Sequence, residues 1–320
     1  MLEKYNIHTD LALEDKERFE SDNVEVQGVV LEEDYDEEKE LRITKVKIET
    51  ENGAKIMKKP VGTYLTIEAP NMLVPDEECH KEIAKEIAKH LKEMIPVKKD
   101  EYSALILGLG NRQVTPDALG PYVAEHLIIT RHIIREYGKY AMAEENLPMI
   151  SAIVPGVMAQ TGMESAEIVK GIVQETTPDF VVAIDALAAR NTKRLNRTIQ
   201  ITDTGISPGA GVGNHRSGIN KDTLGVPVIA IGVPTVVDAA TIVNDTMENL
   251  ISALETSETL KGVGVVMQGY NATEKYELIK ELISPHLHGL FVTPKDIGDT
   301  IESIGDIITE GLNILFRENI

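Results

Sequence analysis

The sequence predicts an α/β fold: a mostly parallel sheet flanked by helices, with an additional N-terminal antiparallel β element. After Pro96 the chain alternates between short apolar runs and helical patterns, which is typical of βαβ units. The runs are almost continuously apolar, as expected for strands covered on both faces. Aromatic residues make up only 4% of the chain and Trp is absent, so aliphatic side chains must build the core.

The N-terminal β element is predicted over residues 24–69. Its strands are β-branched or alternate between apolar and polar residues, and they lie at 24–31, 42–48 and 64–68. Between the second and third of them, Glu51-Asn52-Gly53 is a turn signal of the Asn-Gly kind. The acidic stretch 32–38 is expected to form a turn in a solvated surface loop.

The main sheet follows an amphipathic helix at 76–95, in which Ile83, Ile87 and Leu91 recur at helical spacing. We expect strands near 103–109, 149–154, 180–184, 197–202 and 226–233. We expect helices near 119–137, 163–176, 238–256, 273–288 and 295–316.

Composition limits the classes of partner and compartment. The net charge of −20 disfavours direct binding to nucleic acid or to an anionic membrane. Cys79 is the only cysteine, which excludes an intrachain disulfide and a cysteine-based metal site and fits a reducing cytoplasm. No signal-peptide pattern and no uncharged run of membrane-spanning length occur, so a cytoplasmic location is expected.

Two aspartates follow apolar runs. Asp117 comes shortly after the run at 103–110, and Asp185 directly ends the run at 180–184. Ligands and chemistry collect beyond the carboxyl ends of strands in open α/β sheets, so two carboxyl groups there could share a proton and activate water. Two simpler interpretations stay open: Asp117 as a helix N-cap, and Asp185 as a structural hydrogen-bonding residue.

Several other patterns are weaker. The glycine-rich loop at 206–218 lacks the G-x-G-x-x-G spacing of dinucleotide sites, although its backbone N–H groups at 209–213 could support an oxyanion. Asp203-Thr204-Gly205 matches the motif of pepsin-like proteases, but α/β alternation surrounds it, so Asp203 is interpreted as a strand-end turn residue. No H-E-x-x-H or G-x-S-x-G occurs.

The chain resembles the spore germination protease family, endopeptidases that degrade small acid-soluble spore proteins. The likeness runs over most of the chain and lies in a set of motifs in one order. These are Gly108-Leu109-Gly110-Asn111-Arg112, Thr115-Pro116-Asp117-Ala118-Leu119-Gly120-Pro121, Pro155-Gly156-Val157-Met158-Ala159-Gln160-Thr161-Gly162, Ala183-Ile184-Asp185-Ala186-Leu187-Ala188-Ala189-Arg190, Asp203-Thr204-Gly205-Ile206, Pro208-Gly209 and Gly211-Val212-Gly213-Asn214.

The resemblance implies an atypical aspartic peptidase whose catalytic aspartates are Asp117 and Asp185, with no cofactor and no metal. It implies a fold similar to the nickel-dependent hydrogenase maturation proteases, a homotetramer, an inactive zymogen and a location in the forespore or spore core. Small acid-soluble spore proteins are then the substrate, cut after an acidic residue and before an apolar one.

The resemblance also gives meaning to the N-terminus. Thr9-Asp10-Leu11-Ala12 looks like a cleavage site of these enzymes, which implies self-cleavage between Asp10 and Leu11. Residues 1–10 are then a propeptide, and residues 11–320 a single α/β peptidase domain with the β-rich insertion at about 24–69. Without the family, this segment is simply the start of a helix.

Further site residues are expected around the aspartates. Arg112 or Arg190 would recognise the acidic residue of the substrate, and Gly211, Gly213 and His215 of the glycine loop are further expected substrate-binding residues. Two alternatives are kept: a metal-dependent maturation-type peptidase, in which His215 and carboxylates hold a divalent ion, and a non-enzymatic binding module on the same scaffold.

Overall fold

The computed structural model describes residues 10–21, 27–37, 39–97, 101–138, 147–209, 217–239, 241–243, 245–246 and 290–317. Nine strands of this part of the chain form one mixed sheet, with helices on both faces. The strands are β1 (Val29–Asp36), β2 (Leu41–Ile48), β3 (Gly62–Glu68), β4 (Ser103–Gly108), β5 (Met149–Ile153), β6 (Phe180–Ala189), β7 (Thr198–Thr202), β8 (Val228–Asp238) and β9 (Phe291–Val292).

The described helices alternate with these strands, as the sequence predicts. They are α1 (Ala12–Ser21), α2 (Glu51–Met57), α3 (Glu77–Met94), α4 (Leu119–His126), α5 (Arg131–Tyr137), α6 (Met158–Thr161), α7 (Ser165–Thr176), α8 (Lys221–Leu224) and α9 (Ile297–Arg317). Short 3-10 turns lie at Thr115–Asp117 and Thr192–Arg194.

The strand order is β1-β2-β3-β7-β8-β6-β4-β5, and β9 pairs with β8. Strands β5, β4, β6 and β8 are mutually parallel, whereas β1, β2, β3 and β7 join them through antiparallel pairs. The predicted α/β fold with an N-terminal antiparallel element is therefore confirmed. That element is continuous with the main sheet because β3 pairs with β7.

The alternation of side chains along β4 and β6 divides the core into two layers. Ile106 and Ile184 belong to the layer under α3, α4 and α9, and Leu107 and Ala183 belong to the layer under α7. This follows from the two-residue period of a strand, because successive side chains point to opposite faces. A parallel strand buried on both faces must therefore be apolar throughout.

Three local expectations were wrong. The Asn-Gly sequence lies inside α2 instead of a turn, because the Thr50 hydroxyl accepts a hydrogen bond from the Gly53 N–H at 3.0 Å and caps a helix. The acidic stretch is not a loop at its start, since β1 runs on to Asp36 with exposed carboxylates. The helix expected at 119–137 is broken between α4 and α5, where the Thr130 side chain bonds Pro148 O and Ile150 N.

The helices predicted at 238–256 and 273–288 lie largely outside the described residues. In the part of the chain that is described, no helix is both long and apolar enough to cross a membrane.

Candidate active site

Asp185 lies within β6 and is almost fully buried, with 5% of its surface exposed. Strand β6 runs five residues further than the sequence indicates, so Asp185 is a strand residue and not the residue after the strand. Its Oδ1 accepts a hydrogen bond from the Ala186 N–H at 3.0 Å. In the neighbouring strand it faces Gly232, which has no side chain.

Asp117 lies at the end of the 3-10 turn that follows β4, and it is half-buried. Its carbonyl oxygen accepts a hydrogen bond from the Asn111 N–H at 3.0 Å, which folds the turn back onto the end of the strand. Gly110 makes this possible: its φ is +112°, and a Cβ there would lie 2.1 Å from Asp117 O and 3.0 Å from Asp117 Oδ1.

Backbone contacts bring the two aspartate-bearing elements together at one rim of the sheet. Gly108 pairs with Ile184, and the Leu109 N–H donates to Ile184 O at 2.8 Å, one residue before Asp185. Residues of the turn that ends at Asp117 approach β6 within 8 Å between Cα atoms. The turn that ends at Asp117 and the strand that carries Asp185 therefore meet at this rim.

Gln200 extends this rim, although sequence reasoning did not select it. Gln200 of β7 pairs with Gly232 of β8, which in turn pairs with Asp185, so the three residues form one row across the sheet. Directly paired residues share a face, and Gln200 is 6% exposed. A sequence signal was available, because Thr198-Ile199-Gln200-Ile201-Thr202 alternates and assigns its polar residues to a single face.

The N-terminal segment is docked against this part of the sheet. The Asp10 N–H donates to Ala188 O at 3.3 Å, and the Ala188 N–H donates to Asp10 Oδ2 at 2.9 Å. The Asp10 carbonyl accepts hydrogen bonds from Lys59 Nζ at 3.1 Å and from Gln200 Nε2 at 3.0 Å. The next side chain, Leu11, is completely buried.

Helix α1 begins directly after this segment and is anchored to the rest of the protein by polar contacts. The two carboxylate oxygens of Glu14 accept hydrogen bonds from the backbone N–H groups of Arg190 and Asn191 at 2.8 and 2.9 Å. The buried Arg194 guanidinium makes ion pairs with Glu14, Glu17 and Glu68. Burial acts to lower the pKa of Arg194, but the three carboxylates outweigh it and the net effect raises that pKa.

The two arginines that the sequence analysis assigns to recognition of an acidic residue lie in different surroundings from each other. Arg112 is exposed and forms an ion pair with Glu125. Arg190 lies just after β6, and its backbone N–H binds Glu14. Asp203, the strand-end residue of the Asp-Thr-Gly motif, accepts a hydrogen bond from the Thr63 N–H at 2.8 Å, which supports a structural role.

The glycine-loop residues Gly211, Gly213 and His215 lie outside the described residues. Within the described ranges, no group of three or more His, Cys, Asp or Glu side chains is arranged to hold a metal ion. Cys79 does not form a reactive site, because burial raises the pKa of its thiol and the charges of Asp76 and Glu40 raise it further.

Comparison with known proteins covers the whole chain. The family model described as germination protease matches residues 7–262 and 253–320. The chain is 47% identical over 312 residues to the germination protease of Caldanaerobacter subterraneus subsp. tengcongensis, covering 97% of this chain and 94% of that protein. It is 45% identical over 317 residues to that of Clostridium perfringens (98% and 96%) and 41% identical over 359 residues to that of Bacillus anthracis (100% and 96%).

Among solved structures, the chain is similar to the NiFe hydrogenase maturation protease HycI from Thermococcus kodakarensis. The TM-score is 0.32 at 18% sequence identity, and the match covers 70% of this chain and 99% of that one.

Proposed function

Since the chain belongs to the germination protease family, we propose that it cuts internal peptide bonds of small acid-soluble spore proteins when a spore germinates. Family membership makes it a protease and therefore a hydrolase. What we propose is the substrate, the residues that perform the reaction and the location in the spore. The observation that supports this chemistry is that the turn ending at Asp117 contacts β6, the strand that carries Asp185, at one rim of the sheet.

The mechanism we propose is hydrolysis by a water molecule between two carboxyl groups. The ionised carboxylate of the pair takes a proton from water, and the water oxygen attacks the carbonyl carbon of the substrate. The protonated partner donates to the carbonyl oxygen, and the leaving nitrogen takes a proton as the C–N bond breaks. Neighbouring carboxyl groups titrate as a pair, so acid and base belong to Asp117 and Asp185 jointly.

Cleavage after an acidic residue and before an apolar one is supported by how the chain holds its own N-terminal segment. The Asp10 carboxylate is bound by the Ala188 N–H, and Leu11 is enclosed. Ala188 lies three residues after Asp185, about 10 Å along the strand. We extend the proposal to self-cleavage between Asp10 and Leu11, which releases residues 1–10, and to a homotetramer, both implied by the family.

The test is peptide turnover by two isosteric variants. Asp117→Asn and Asp185→Asn should each reduce cleavage of a fluorogenic Thr-Glu-Ile-Ala peptide at least 1,000-fold, roughly the loss seen when a catalytic carboxylate becomes an amide. Asp203→Asn is the matched control, because its amide oxygen can still accept from the Thr63 N–H. Circular dichroism and sizing verify that each variant is folded.

Near wild-type turnover by either rim variant would refute the carboxyl pair. Loss of turnover in Asp203→Asn with retention in the other two would instead favour the pepsin-like motif.

A further inference from the structure

The side-chain amide of Gln200 binds the backbone on both sides of Leu11. Its Nε2 donates to the carbonyl of Asp10 at 3.0 Å, and its Oε1 accepts from the N–H of Ala12 at 2.8 Å. The amide is buried, and both of its bonds are directed to main-chain atoms. Gln200 therefore recognises the backbone of this segment and not its side chains.

This pair of bonds is the one made by a parallel strand. In a parallel pair, a residue donates its N–H to the carbonyl before the facing residue and accepts from the N–H after it. The Gln200 amide does the same around Leu11, so it takes the place of one residue of an added strand. Extended peptides are commonly held this way, with main-chain bonds for affinity and pockets for side chains.

Two further contacts fit a site for an extended acidic–apolar peptide. Lys59 Nζ gives the Asp10 carbonyl a second donor, and the Lys59 side chain is only 14% exposed. The Ala188 backbone binds the N–H and the carboxylate of Asp10, and Leu11 has no exposed surface. The acidic side chain is thus bound by β6, the backbone by β6, Lys59 and Gln200, and the apolar side chain is buried.

The position of Gln200 links this site to the rim. Gln200 and Asp185 lie in one row on either side of Gly232, about 10 Å apart between Cα atoms for two strand spacings. The Leu187 side chain lies over Gly232, where a Cβ would come within 2.4 Å of it. The Gln200 amide, which binds the backbone, and the buried Asp185 carboxyl therefore lie on the same face of the sheet. The apolar Leu187 side chain lies between them, over Gly232.

We infer that Gln200 is a substrate-binding residue that holds the peptide backbone on both sides of the apolar residue after the cut. The chain's own residues 10–12 occupy that site in this structure, so a substrate displaces them. The inference rests on the proposed peptidase function. It assigns backbone recognition to Gln200 and recognition of the acidic side chain to the Ala188 N–H, and not to Arg112 or Arg190.

The experiment compares two substrates. One is a fluorogenic peptide containing Thr-Glu-Ile-Ala, and the other carries lactic acid in place of the alanine, so that an ester replaces the N–H after the isoleucine. The full-length protein is incubated until its mass is constant and then assayed. The ester should lower kcat/KM of the wild-type protein about fivefold to tenfold, the size of one neutral hydrogen bond, and mainly through KM.

Variants of Gln200 separate binding from a merely structural role. Gln200→Ala should lower kcat/KM for the amide peptide, because it also removes the Nε2 donor to the carbonyl of the bond that is cut, and it should lose the difference between the two substrates. Gln200→Glu keeps an acceptor oxygen but loses the donor, so it should lower kcat/KM and keep the preference for the amide. Gln27→Ala, an exposed site, should behave as wild type.

An equal rate for both substrates in the wild-type protein would overturn the inference, and this result needs no variant to fold. The same amide preference in Gln200→Ala as in wild type would also overturn it, since Gln200 would then only anchor α1. No turnover of either peptide by wild type would instead be a failure of the proposed function, and the inference would fall with it.

Discussion

Replacing Gly120 with Ala would disturb the junction where helix α4 packs on the end of β4 and on β6, next to the candidate aspartates. A Cβ at Gly120 would lie 2.3 Å from Leu109 O, 2.4 Å from Ile184 O and 2.5 Å from Leu109 N. Ordinary contact begins at 3.4 Å, so helix α4 must move by about 1 Å. The atoms it meets are backbone atoms, two of them joined by the hydrogen bond between Leu109 and Ile184, and they cannot rotate aside.

The expected cost follows from two opposing effects. Overpacking against backbone costs about 3 kcal/mol of the free energy of unfolding, the upper end of the usual range. Ala favours a helix over Gly by about 1 kcal/mol. The net loss for Gly120→Ala is therefore about 2 kcal/mol. A shift of about 1 Å between reacting groups also reduces turnover roughly 100-fold, even in molecules that remain folded.

Gly171→Ala is the matched control. Gly171 lies in the interior of α7, is exposed, and has nothing within 4 Å of its added Cβ. This variant should be about 0.5–1 kcal/mol more stable than wild type, with unchanged turnover. The measurements are urea unfolding and peptide turnover at 25 °C. A Gly120→Ala protein as stable and as active as Gly171→Ala would refute the packing argument and the role of this junction.

Two further predictions concern the anchoring of helix α1 and the pH dependence of stability. Arg194→Met removes the guanidinium that pairs with the buried Glu14, so it should cost about 3 kcal/mol of the free energy of unfolding and expose α1 to limited proteolysis. Lys47→Met, at an exposed ion pair, should change neither the free energy of unfolding nor the proteolysis. Burial lowers the pKa of His90, although two nearby glutamates raise it. The unfolded chain therefore binds the His90 proton more tightly than the folded one, and the free energy of unfolding should fall as the pH drops below about 6.5. His90→Gln should flatten that part of the curve of unfolding free energy against pH, and an unchanged slope would contradict the assignment.

The two aspartates could be proposed from the sequence because apolar runs leave a readable signal. A carboxyl group that follows an apolar run predicts a rim position, and this pattern selected Asp117 and Asp185 as candidates. The alternation along β7 contained the same kind of signal for Gln200, but a polar residue within a strand is equally typical of a solvent-facing edge. Only the pairing of β7 with β8 shows that Gln200 faces inward, in the row of Asp185.

Other features depended on partners distant in sequence. Glu51-Asn52-Gly53 carries the local signature of a turn, but the Thr50 cap converts it into the start of α2. Asp10 binds Ala188 across 178 residues, and no local pattern encodes that contact. Conformational preferences of short segments are weak, and packing decides among them.

By itself, the sequence determined the α/β class and the apolar strands that build the sheet, and it selected Asp117 and Asp185 as candidates, because periodicity and the burial of aliphatic side chains are local and cumulative. The tertiary structure alone decided which strands are neighbours. It thereby decided that Gln200, Gly232 and Asp185 share a row and that residues 10–12 bind the Gln200 amide. Strand order is set by long-range hydrogen bonds and the packing of two layers, neither of which any single segment contains.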